Sequence, residues 1–133
     1  MKILFVCHRL PFPPKRGGKI RPFNIIRHLT ESGHAVTVGA LARSPEELAE
    51  GQPLREYCDK LFVGQINPVS AVAHMVVRLP TSIPSSMGNF YSRDLHREIR
   101  EELRRNRYDL IFVHCSSAAQ YVGSAIGIPS ILD

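Results

Sequence analysis

Five consecutive apolar residues, Ile3-Leu4-Phe5-Val6-Cys7, run straight into a proline-rich stretch that ends in Lys15-Arg16-Gly17-Gly18. The apolar run does not alternate, so it reads as a strand buried on both faces, as in a parallel sheet covered by helices. In such sheets ligands gather beyond the carboxyl ends of the strands, where a loop hands over to a helix. Gly17 and Gly18 stand at that handover. Their backbone amides carry no Cβ cover and lie beside the positive end of a helix dipole, with Lys15 and Arg16 just before them. That arrangement suits an anionic or hydroxyl-rich ligand.

Strand and helix patterns alternate along the rest of the chain. A helix is expected from near Gly18 to Ser32, burying Phe23, Ile25, Ile26 and Leu29. Pro22 fits there only in the opening turn, and Gly33 closes the helix as a left-handed cap. Ala35 to Leu41 gives a second strand, and Ser44-Pro45-Glu46-Glu47 is a helix-start signature. A third strand is expected at Lys60 to Val63. Val69 to Leu79 reads as an apolar helix with Ser70, His74 and Arg78 on one stripe, followed by an irregular loop to Tyr91. Ser92 caps a charged helix to Asn106 with a narrow seam of Leu95, Ile99 and Leu103 and a Glu101–Arg105 pair. Asp109 to His114 is the fourth strand, a short helix follows from Ser117 to Ser124, and a fifth strand begins at Pro129.

This alternation predicts an α/β fold, a doubly wound, Rossmann-like parallel sheet with right-handed crossovers. In the order 3-2-1-4-5, strands one and four flank the topological switch point. The crevice is then lined by His8 to Gly18 on one side and His114-Cys115-Ser116-Ser117 on the other.

Composition bounds the chemistry. At 133 residues, the chain is one domain's worth. Its net charge of +5 leans toward anionic partners. Nucleic acid is not expected, because the acids and bases between Arg93 and Arg107 interleave without aromatic residues for stacking, which marks a solvated face. Cys7, Cys58 and Cys115 form no CxxC pair, the histidines fit no HExxH spacing, and no metal site is expected. Three scattered cysteines fit reduced core thiols and a cytosolic setting. Met1-Lys2 leads into a run too short for a secretory signal, and no stretch is apolar enough to span a bilayer. The Val69–Leu79 surface reads as core, with a lipid or lipid-linked substrate as the alternative.

The candidate chemistry divides into readings that stay open side by side. The Gly17-Gly18 loop either cradles a phosphate or sugar or is a plain turn into a helix. Neither G-x-G-x-x-G nor G-x-x-x-x-G-K-[ST] occurs, and the second strand ends in Leu41-Ala42-Arg43 with no acid for a ribose diol, which disfavours a dinucleotide enzyme. His114, at the carboxyl end of strand four, can donate to a substrate hydroxyl or stabilise charge on a leaving group, or be structural. His8 is comparable, on a loop whose direction the sequence leaves open. Ser116 caps the next helix or binds a hydroxyl, and no G-x-S-x-G elbow surrounds it.

The stretch KILFVCHRLPFPPKRGGKIRPFNIIRHLTESGHAVTV resembles the amino-terminal end of GT-B glycosyltransferases of the retaining, group-1 (family 4-like) type. It is especially similar to the branch associated with bacterial exopolysaccharide and exosortase (PEP-CTERM) loci. Tyr108-Asp109-Leu110-Ile111-Phe112-Val113-His114 and Phe90-Tyr91-Ser92 carry the likeness further along the chain.

The resemblance implies a two-domain enzyme that moves a sugar from a nucleotide-sugar to a saccharide or lipid-linked acceptor, with no bound cofactor or metal. Residues 1–133 would be its amino-terminal, acceptor-side domain, cut short and lacking the donor domain with its E-x7-E motif, and inactive alone. The setting implied is cytoplasmic, at or near the inner face of the membrane. By motif match, Gly17 and Gly18, after Lys15 and Arg16, approach the donor phosphates or acceptor, and His114 lies near the transferred sugar. Relatives often carry His-x-His where this chain has Phe112-Val113-His114. The rival expectation is a non-catalytic, flavodoxin-like module that holds a phosphorylated ligand or a protein.

Overall fold

The computed structural model describes residues 1–15, 17–65, 92–114, 116–123 and 127–132. Five parallel strands among them form one sheet in the order β3-β2-β1-β4-β5. The strands are β1 (Lys2–Cys7), β2 (Ala35–Ala42), β3 (Lys60–Gln65), β4 (Leu110–His114) and β5 (Ser130–Leu132). The helices are α1 (Gly17–Glu31), α2 (Pro45–Gly51) and α3 (Arg93–Arg105), with 3-10 turns at Gln52–Tyr57 and Ser116–Val122. The expected Val69–Leu79 helix and the loop to Tyr91 lie outside the described residues.

β1 sits at the centre, in register with β2 (Phe5 opposite Val38) and with β4 (Phe5 opposite Phe112). Side chains therefore sort by parity onto two faces. Phe5, Cys7, Val36, Val38 and Ala40 pack with Phe23 and Ile26 of α1. Leu4, Val6, Leu41, Ile111 and Val113 pack with Leu95 and Ile99 of α3. Both faces of β1 are thus buried, which is why its sequence never alternates. Phe5 and Phe112 stack at 4.9 Å across β1–β4, a contact worth about 0.5–1.5 kcal/mol beyond simple burial.

Ser44 and Ser92 cap α2 and α3 by accepting from the amides of Glu47 and Leu95, and Gly33 ends α1 with φ +92°. Three expectations change. α1 starts at Gly17, so Pro22 lies in its second turn and offers no amide to the carbonyl of Gly18. Of the four apolar residues expected to be buried on α1, Phe23 and Ile26 are, while Ile25 and Leu29 are half-buried and border, with Ile20, an apolar hollow on its outer face. Glu101 and Arg105 form no ion pair; Arg97 instead meets Asp94 at 3.2 Å. The short helix after β4 is of the 3-10 kind and spans Ser116–Val122.

Glu102, one turn past Ile99, is buried in α3. Its Oε1 receives the Tyr108 hydroxyl at 2.6 Å, Lys60 Nζ at 3.0 Å and Asn106 Nδ2 at 2.9 Å. The phenol proton goes to the carboxylate, so the Thr37 hydroxyl, 2.9 Å away, donates to the Tyr108 oxygen. This network ties α3 to β2, β3 and the approach to β4.

Candidate functional site

A β-strand followed by a helix and a second parallel strand obliges the helix to run back against the sheet. α1 therefore begins at the carboxyl end of the sheet, with Gly17 and Gly18 in its opening turn. His114 ends β4 opposite Cys7 of β1 and, two residues beyond Phe112, projects from the face that α1 covers. The first turn of α1 and the His114 imidazole therefore share one end and one face of the sheet. No acid in that turn competes for an incoming anion.

The loop after β1, whose direction the sequence left open, is pinned. The Leu10 amide donates to the Leu41 carbonyl at 2.8 Å, carrying the chain across the end of β2. Leu10 is fully buried, and the Phe12 ring lies 5.6 Å from Phe23 and 6.3 Å from Tyr57. So anchored, His8 stacks its ring 5.8 Å from that of His114. Burial pushes the His8 imidazole below its ordinary value of 6.5. The positive charges of His114, Arg43 and Arg9 push the same way, against a hydrogen bond to the His114 backbone.

Between the loop after β1, the first turn of α1 and α2 lies a hollow of about 280 Å³, lined by Arg9, Lys15 and Lys19 and by Glu46, Glu47 and Glu50. Glu47 Oε1 is 3.5 Å from Arg9 Nε and 3.9 Å from the buried Lys19 Nζ. The carboxylate thus holds the loop after β1 and the first turn of α1 to α2. Lys15 is exposed, with its amide on the Pro13 carbonyl at 2.9 Å. Ser116 opens the 3-10 turn after β4. Arg16 lies outside the described residues.

Two residues here escaped sequence reading. Glu47 looked like part of a helix start, and Lys19 was not singled out. The one available signal was a basic residue placed in a first helical turn, where the dipole disfavours it unless an acid stands near. Cys7, alongside, is no nucleophile, since burial pushes its thiol up to about 12. His34 meets the amino terminus at 2.9 Å, and His96 packs edge-on against Tyr121, which belongs to the core on the α3 face. Among the described residues no three His, Cys, Asp or Glu side chains gather as a metal site, and no helix is long and apolar enough to cross a membrane.

This end of the sheet can grip a negatively charged group with helix amides and cations and offer an imidazole to a hydroxyl. A search of the curated proteins found no match. The family model described as Glycosyltransferase Family 4 matches residues 16–132, from the residue before α1 through β5. With that match spanning most of a Rossmann-like sheet, the chain belongs to glycosyltransferase family 4.

Proposed function

We propose that residues 1–133 are the acceptor-side half of a two-domain enzyme that transfers a hexose from a nucleotide-sugar to a saccharide or lipid-linked acceptor. The observation that carries this reading is the placement of His114 and the opening turn of α1 at one end and on one face of the sheet. A donor domain closing over this edge completes the cleft and brings most of the nucleotide contacts. The amides of Gly17 and Gly18, helped by the charges of Lys15 and Arg16, bind the diphosphate or the acceptor. His114 donates a hydrogen bond to a hydroxyl of the transferred sugar and holds its ring in place while the bond to the diphosphate breaks. Ser116, at the same strand end, takes a second hydroxyl. No resident cofactor enters this scheme.

The likeness to the exopolysaccharide branch supports a role in bacterial surface polysaccharide synthesis, on the cytoplasmic side and in peripheral contact with the membrane. The rival flavodoxin-like module loses its architectural support, because such sheets run 2-1-3-4-5 and this one runs β3-β2-β1-β4-β5.

The test is sugar transfer by the protein joined to its donor domain, against a panel of UDP-, GDP- and ADP-sugars. His114→Ala is expected to lower kcat about a hundredfold or more, and Gly17→Val to raise KM for the donor or acceptor. Normal rates in both variants would remove these residues from the site, and transfer by residues 1–133 alone would contradict the two-domain reading.

A further inference from the structure

The hollow between the loop after β1, the first turn of α1 and α2 gathers hydrogen-bonding groups that the described chain leaves unsatisfied. Glu46 and Glu50 line it from α2, are exposed, and take no ion pair or hydrogen bond among the described residues. Positions four apart on a helix are neighbours, so the two carboxylates serve one wall. Lys19 is only 9% exposed, yet its Nζ meets only Glu47 Oε1, at 3.9 Å, beyond hydrogen-bond distance. Arg9 touches the same oxygen through Nε at 3.5 Å, which leaves its Nη groups without a carboxylate among the described residues. Ser44 Oγ accepts from the Glu47 amide at 3.1 Å, so its hydroxyl proton is open to a ligand.

We propose that this hollow is a subsite for one neutral hexopyranose ring of the acceptor, with Glu46 and Glu50 accepting from its hydroxyls and Arg9, Lys19 and Ser44 donating to them. This rests on the transferase reading for the word acceptor, while the sugar site stands on the hollow itself. Its volume of about 280 Å³ falls just under the roughly 300–1,000 Å³ of ordinary small-molecule pockets, which suits one ring and not a dinucleotide. The lining charges, three positive and three negative, cancel. A phosphate dianion would be set against Glu46 and Glu50, and a metal ion or polyamine against Arg9 and Lys19. Among the described residues no aromatic side chain lines the hollow for a nucleobase to stack on.

Carboxylates only accept, and ammonium and guanidinium groups only donate. A ligand that satisfies both must donate and accept at several adjacent positions, as the hydroxyls around a pyranose do. Pro13 adds an apolar surface for the C–H groups of the ring. Lys15 also lines the hollow and keeps the part given to it above. Glu47 positions this wall by holding Arg9 and Lys19, so its loss disturbs fold and site together. Glu46 and Glu50 make no such internal contact and are the informative positions.

The experiment is a titration of the isotope-labelled 133-residue chain with methyl α-glucoside, methyl α-galactoside and methyl α-mannoside, following backbone amides by NMR. Expected is saturable binding of at least one hexoside, with the largest shifts at Arg9, Ser44 and Glu46 to Glu50 and none at Lys60 or Glu102. Glu46→Ala and Glu50→Ala should each weaken it about tenfold with the other amide signals unmoved, while Glu101→Ala, on the exposed side of α3, leaves it unchanged. Failure of all three hexosides to saturate, or unchanged binding in both glutamate variants, would overturn the subsite. Tighter saturation by glucose 6-phosphate or by methyl glucosaminide would overturn the choice of a neutral ring. In the protein joined to its donor domain, Glu50→Ala should raise KM for the acceptor and leave kcat and the donor KM alone. Transfer with an unchanged acceptor KM would defeat the subsite and leave the transferase reading standing; hexoside binding at the hollow without transfer would do the reverse.

Discussion

The His8 and His114 rings stack 5.8 Å apart because β1 and β4 are neighbours in the sheet, with Cys7 directly opposite His114. The two residues come from opposite ends of the chain. Their meeting depends on the crossover that sends β2 and β3 to one side of β1 and returns β4 to the other. Where the strand order reverses, the loops after the two central strands diverge and leave a crevice between them.

The buried imidazole has a consequence for stability. His8 titrates below 6.5 in the folded chain, chiefly through burial and then through His114. Between the folded value and 6.5 the unfolded chain holds the extra proton, so stability is full above 6.5 and declines as pH falls below it. His8→Asn should flatten that acid limb. Urea midpoints measured from neutral to mildly acidic pH check it, and an unchanged slope would show that His8 is not its source.

Glu102 should behave as a buried hub. Burial works to raise its carboxyl, but hydrogen bonds from Tyr108 and Lys60 and the Lys60 and Lys2 charges outweigh it and leave the group below its ordinary 4.5. Its stabilisation is present above 4.5 and lost as pH falls through the folded value. Glu102→Ala strips the Tyr108 hydroxyl of its acceptor and should cost about 1–3 kcal/mol, read by chemical denaturation. Lys60→Ala should cost less, since the Lys60 side chain is 42% exposed and its pairing is screened.

Glu47→Ala should destabilise more than Glu46→Ala or Glu50→Ala, by about 1–3 kcal/mol, because it leaves Lys19 buried beside Arg9 without its carboxylate. Adding Lys19→Met should recover part of that loss. Equal effects of the three single variants in thermal melts would mean that Glu47 does not hold the loop.

Gly64 marks a close crossing of β3 by the start of α3. A Cβ there would lie 2.6 Å from Ser92 Oγ and 2.7 Å from Leu95 Cβ. Gly64→Ala should therefore displace the cap and cost about 1–3 kcal/mol. Gly123→Ala, where a Cβ meets nothing within 4 Å, is the matched control. A similar midpoint for both would mean that the crossing relaxes freely.

Much of the fold was legible before any coordinates. The unalternating run of β1, the serine caps at Ser44 and Ser92, and the glycine exit at Gly33 each report a local preference that survives in the structure. The order 3-2-1-4-5, taken up as the common arrangement for such alternation, is the order the sheet has. Local signals failed where a neighbour distant in sequence decides the outcome. Leu95, Ile99 and Leu103 marked a narrow seam on α3, yet the buried Glu102 beside them looked solvated, because Tyr108, Lys60 and Asn106 were invisible as partners.

At the site the division is sharper. Residue types and spacing alone determined that a glycine-opened helix and a histidine each follow a buried strand, since hydrophobic runs and turn residues act within a few positions. Only the folded sheet decided that β1 and β4 lie side by side, that Leu10 ties its loop to β2, and that His8 faces His114 while Glu47 holds Arg9 and Lys19. Periodicity encodes which face of an element is buried; strand order and register, set by packing across the whole core, choose which side chains meet.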